Sequence, residues 1–107
     1  MTTYNLNIAT PLVAIPVGEY ISGDLELLNM TQKELAEKAG IPTSRLNEII
    51  KGKRRITAEQ SIAIAQVMGY EDGLLYLLQA QSDIDKVRIE KKDDAHRSNI
   101  LKIAMVL

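Results

Sequence analysis

Between Thr31 and Gly69 the sequence is punctuated at intervals that suit only short, mutually packed helices. Thr31-Gln32-Lys33-Glu34 has the form of a capping box, in which the threonine hydroxyl accepts from the amide three residues on and the glutamate reaches back. Leu35, Ala36 and Ala39 follow, and Gly40 supplies the left-handed residue that ends a helix. Pro42 sets the next start; Leu46, Ile49 and Ile50 face inward, and Gly52 closes the segment. Thr57-Ala58-Glu59-Gln60 is a second capping box, opening a helix through Ile62, Ala65 and Met68 to Gly69.

Two short helices joined at a glycine, followed by a basic segment, describe a helix-turn-helix. Its register here is Gln32, Ala36, Gly40, Ile41, Leu46, Ile49 and Gly52. Ala36 is expected to be small because the helices cross there, while Ile41, Leu46 and Ile49 set the crossing angle. Gln32 falls at a helix N-terminus, where its amide and free backbone N–H groups can face a phosphate.

The flanks extend this core. Pro11 and Pro16 disfavour a helix, so residues 1–15 read as an extended arm. Ile21, Leu25 and Leu28 recur at helical spacing after Gly18, predicting a first helix that Gly23 weakens. A fifth helix is expected from near Glu71, whose carboxylate and that of Asp72 suit the positive end of the dipole. It carries Leu74, Leu75, Leu77, Leu78, Ile84 and Val87. Beyond Arg88 the charged run Glu90-Lys91-Lys92-Asp93-Asp94 reads as a frayed helix or linker. The apolar end from Ile100 reads as a helix end, an added strand or a partner-binding tail. The expected fold is all-α: a five-helix domain over residues 16–82, an arm over 1–15 and a helical tail over 83–107.

Composition narrows the chemistry. The 107 residues suit one domain. Without cysteine there is no disulfide, thiolate site or thiol nucleophile. The one histidine, His96, supports neither a triad nor a multi-histidine metal site, and beside Asp93 and Asp94 it reads as part of an exposed charge run. No apolar run approaches the roughly 18 residues that span a bilayer, and no signal peptide is evident. No cofactor or membrane contact is expected, and the expected location is cytoplasmic. Tyr20, Tyr70 and Tyr76 are too scattered for a base-stacking platform, and Met30 and Met68 read as core.

Net charge is −1, yet it is unevenly spread. Residues 1–30 carry −3, residues 31–57 carry +4 and residues 58–107 carry −2. The basic island coincides with the helix-turn-helix, which gives one face the electrostatic footprint of a phosphate-backbone binder. No nucleophile–base pair or phosphate-cradling glycine loop accompanies it, so an enzyme is not expected.

In these residues the chain resembles the XRE family related to λ repressor and Cro, and within it HigA-type antitoxins. The likeness runs from Gly18-Glu19-Tyr20-Ile21, through Met30-Thr31-Gln32-Lys33-Glu34-Leu35-Ala36-Glu37 and the stretch from Asn47 to Thr57, to Leu78-Gln79-Ala80. It departs at Pro16-Val17, where the family often has His-Pro, and at Leu75, where tryptophan is common. The resemblance implies that the third helix enters the major groove. Thr43, Ser44, Arg45 and Asn47 would then read bases, and Gln32, Lys33, Lys51, Lys53 and Arg54 would hold phosphates. Thr43 and Ser44 can equally be capping residues, Asn47 an exposed helix residue, Arg45 a phosphate contact and Arg55 a solvated loop residue.

The function so implied is a repressor of double-stranded operator DNA, a homodimer through an excess of leucine at Leu74–Leu78, and an antitoxin of a ribonuclease toxin. Alternatives are a stand-alone phage- or plasmid-type regulator and an interaction module that has lost DNA binding.

Overall fold

The computed structural model describes the backbone of residues 13–106 and the side chains of residues 13–92. Five helices follow one another: α1 Val17–Leu28, α2 Gln32–Ala39, α3 Thr43–Ile50, α4 Ala58–Met68 and α5 Leu74–Val106. No strand occurs among the described residues. The all-α, five-helix expectation is met. Residues 1–12 of the expected arm lie outside the described residues, and residues 13–16 are non-helical.

The chain forms two units, Ile15–Ser82 and a second made of the segments before and after it. In the first, α2 packs on α3 and α4, and α1 packs on α3. Their shared core comprises Val17, Ile21, Leu25, Leu35, Ala36, Ile41, Leu46, Ile49, Ile56, Ile64, Met68 and Leu75, all buried. Met30 and Leu78 pack against it partly buried. The described part of the second unit is residues 13–14 and α5 from Asp83 onward.

Local chemistry sets the boundaries. Thr31 Oγ1 accepts from Glu34 N–H at 3.1 Å, which is the threonine half of the expected box. At α4 both halves form: Thr57 Oγ1 accepts from Gln60 N–H and Gln60 Oε1 from Thr57 N–H. Gly40 ends α2 at φ 69°, a left-handed conformation that glycine adopts without a Cβ clash.

One boundary differs from expectation. α5 begins at Leu74, not near Glu71. Ser61, on α4 and 1% exposed, donates its hydroxyl to Asp72 C=O at 3.0 Å and accepts Tyr76 N–H at 3.2 Å. It occupies the place of the helical bond that would have joined those two backbone groups, so the regular ladder starts later. At the other end α5 runs 33 residues through the charged stretch. No glycine or proline follows Gly73 to interrupt it.

Three ties escape the hydrophobic pattern. Gln79, 8% exposed on α5, accepts Ile56 N–H at 2.8 Å and donates to Ile56 C=O at 3.1 Å, satisfying both backbone groups of the residue that ends the basic loop. Tyr70 donates its hydroxyl to the Asp24 carboxylate, linking α1 to the turn after α4. Gly18 lets α1 meet the end of α3: a Cβ there would lie 2.1 Å from the Ile50 carbonyl oxygen. Among the described residues no buried side-chain polar atom lacks a partner.

Gly18→Ala is expected to lose about 1–3 kcal/mol of stability, because backbone must shift to admit the methyl group. Gly23, with nothing within 4 Å of its would-be Cβ, is the control: Gly23→Ala should gain roughly 0.5–1 kcal/mol. Urea unfolding followed by circular dichroism reads both. A second expectation concerns pH. Burial, then the hydrogen bond to Asp24, raises the Tyr70 pKa above its ordinary 10.0. The folded state therefore holds this proton more tightly than the unfolded state, so its contribution is intact below pH 10 and lost as pH rises further. Above pH 10, Tyr70→Phe should lose stability less steeply than the parent.

Candidate nucleic-acid interface

The exposed surface of α3 is what the packing leaves over. Leu46 and Ile49 are buried, which turns Thr43, Ser44 and Arg45 to solvent in the first turn. The N-cap is Pro42, and no side chain caps this helix. The hydroxyls of Thr43 and Ser44 are thus not engaged as caps, and no side chain competes there for the free backbone N–H groups.

Asn47 is half-buried and does not project alone. Its Nδ2 donates to Gln32 Oε1 at 3.1 Å. This bond joins the first turn of α2 to the middle of α3, so one residue from each candidate set is held in a single pair. The orientation leaves Asn47 Oδ1 as an acceptor and Gln32 Nε2 as a donor, a pairing suited to a base amine and a phosphate respectively.

Lys33 follows Gln32 in the first turn of α2 and is exposed. Lys51 is the C-cap of α3, about 12 Å of helix rise from Thr43, and is exposed as well. Neither meets the Gln32–Asn47 pair through a described hydrogen bond.

The basic loop is organised by a residue that the sequence reading passed over. Glu48 C=O accepts Lys53 N–H at 2.9 Å and Arg54 N–H at 3.3 Å. Its carboxylate accepts Arg54 Nε–H at 2.8 Å, the two side chains being 43% and 48% exposed. Arg54 is therefore an ion-paired residue, held through its Nε–H. The six-residue spacing across the Gly52 turn was the available signal, but it is recognisable only once the turn brings the ends together.

Arg54 beside Glu48 holds that carboxyl below its usual 4.5, through the hydrogen bond and then its charge; desolvation opposes this, and Arg45 and Lys53 add to it. An acid thus sits amid three cations on the same surface. Among the described residues no group of three or more potential metal ligands is assembled. Asp93, Asp94 and His96 lie outside the described side chains.

Residues 24–75 match the Helix-turn-helix family profile. Among solved structures, an addiction module antidote protein of a HigA family from Coxiella burnetii superimposes with a TM-score of 0.70 at 28% identity, covering 80% of this chain and 95% of that one. An antidote protein of a plasmid maintenance system from Nostoc punctiforme PCC 73102 gives 0.69 at 25% identity, covering 81% and 96%. A comparison with curated proteins finds no match. The likeness to XRE-type helix-turn-helix proteins carried by the sequence is met in the family match, and the likeness to HigA antitoxins in the structures. No helix among the described residues is long and apolar enough to cross a membrane.

Glu48 provides a direct check of this surface. Its carboxyl should titrate below 4.5 when followed by NMR, and Arg54→Ala should bring the midpoint back towards that value.

Proposed function

We propose that this chain, a helix-turn-helix protein over residues 24–75, is a sequence-specific DNA-binding repressor and the antitoxin of a HigBA-type module. In that role it neutralises a ribonuclease toxin and represses its own operon, in the cytoplasm. The observation that carries the reading is the uncapped, exposed first turn of α3, on a helix whose other end leads into the basic loop. Thr43, Ser44, Arg45 and Asn47 then meet base edges, and Gln32, Lys33, Lys51, Lys53 and Arg54 hold the backbone and set register. The antidote names of the Coxiella and Nostoc proteins support the antitoxin half.

A homodimer suits this reading. Of the leucine cluster, Leu75 is wholly buried and Leu78 packs against the core, whereas Leu74 and Leu77 remain exposed. Two copies would present their reading helices to half-sites roughly 34 Å apart, one turn of B-DNA. With the helix-turn-helix engaged by DNA, residues 1–15 and 83–107 are the segments assigned to the toxin.

The test combines DNA and toxin. The full chain should bind the region upstream of its own gene with an affinity that falls with salt, and should relieve growth arrest when co-expressed with a ribonuclease encoded beside it. DNA binding without relief leaves a stand-alone regulator; relief without DNA binding leaves an interaction module. For the DNA half, Arg54→Ala should weaken binding to all duplexes alike and flatten the salt dependence by about one unit of slope. Ser44→Ala and Asn47→Ala should instead change the preferred bases, at about 1–3 kcal/mol for a lost specific contact. Fluorescence anisotropy against a duplex library separates the two kinds of loss, and uniform loss in all three variants would remove the assignment of the reading face.

A further inference from the structure

A carboxylate on a surface built for phosphate calls for a reason. Glu48 lies one residue from Asn47 on α3, and its side chain remains 43% exposed after pairing with Arg54. Arg45 and Lys53 lie close enough to act on its charge. An exposed ion pair adds little to stability, so the fold does not depend on this one. The loop itself is held by the main chain, through the Lys53 and Arg54 amides on Glu48 C=O.

Towards a phosphate backbone Glu48 is unfavourable, since both groups are anionic and carry only acceptors. It also occupies the Nε–H of the arginine best placed to offset a phosphate. In the major groove the opposite holds: cytosine N4 and adenine N6 present amine donors, and a carboxylate accepts from cytosine N4 as a direct reader. The same side chain therefore opposes contact with any duplex and is compensated only by particular base pairs.

Building on the DNA-binding reading, we infer that Glu48 is a specificity-determining residue, whose carboxylate weakens binding to bare backbone and accepts from a base amine, cytosine N4 foremost, at one position of the target. The residue sets the ratio between specific and non-specific affinity. Arg54 is its counter-charge in the free protein.

The test uses the full chain, a random-sequence duplex and the best duplex selected in vitro by the parent protein. Glu48→Gln keeps the length of the side chain and the backbone bonds; Glu48→Ala is the second variant, and circular dichroism checks that each is folded. At about 0.15 M salt Glu48→Gln should bind the random duplex roughly fivefold tighter, with a salt slope steeper by about 0.9, as expected when the surface facing phosphate gains one unit of net positive charge. Its ratio of selected to random affinity should fall, and reselection should lose preference at a single base pair. Unchanged affinity and slope in both variants would overturn the inference. So would an equal gain on both duplexes with the base preference intact, which would make Glu48 a bulk charge only. Parent protein that binds no duplex in a salt-dependent way would overturn the DNA-binding reading, and this inference with it.

Discussion

Eight residues are too few for a helix to persist alone in water, where isolated helices need about 12–15. Both α2 and α3 have eight. Each exists because the other, together with α1 and α4, buries its apolar face, and the recognition surface is a by-product of that mutual burial. Leu35 and Leu46 are wholly buried and Ala36 nearly so, which fixes how the two helices cross and hence which residues of α3 are left outside. Gly18 extends the constraint to α1: the first helix approaches the last carbonyl of α3 so closely that only hydrogen fits. The angle of α3 is thus set from behind, by contacts on its buried side.

The basic loop is held from the opposite direction. Gln79, reaching from α5, pairs with both backbone groups of Ile56, while Glu48 C=O gathers the amides of Lys53 and Arg54. Between these two anchors the chain has little freedom, so its cations stand at defined positions relative to α3. Preorganisation of this kind reduces the entropy lost on ordering long cationic side chains against a backbone. The Gln32–Asn47 bond ties the two helices in the same way, holding the side chain at the start of α2 to one in the middle of α3.

What was legible in the sequence was what depends on neighbours in the chain. Thr31 and Thr57 marked helix starts and Gly40 and Gly69 marked stops, because capping is a contact over three or four residues. Leu35, Leu46 and Ile49 were identifiable as core from periodicity alone. The features that were missed are tertiary. Ser61 displaces the start of α5 from another helix, and nothing around Glu71 records it. Gly18 read as an ordinary helix residue, since its neighbour is 32 positions away. Gln79 did carry a faint signal, as a polar residue four positions from the buried Leu75 on the same face. The charged stretch after Arg88 reads as a frayed helix or linker because it is strongly solvated, and the helical alternative holds because no glycine or proline interrupts it.

Charge explains why a chain with a net charge of −1 can still be suited to DNA. Screening confines each charge to roughly 8–10 Å at physiological salt, so the acids of the first and last segments matter little to a phosphate held at α3 and its loop. Around Glu48 the charges that act on its carboxylate are those of Arg54, Arg45 and Lys53. A surface made only of cations would hold any duplex and discriminate poorly, since phosphate contacts carry no base information. In the role inferred for Glu48, one acid among them lowers the affinity common to all sequences and leaves the base-dependent part to decide. Selectivity then arises on the same few side chains that supply attraction, without a second recognition element.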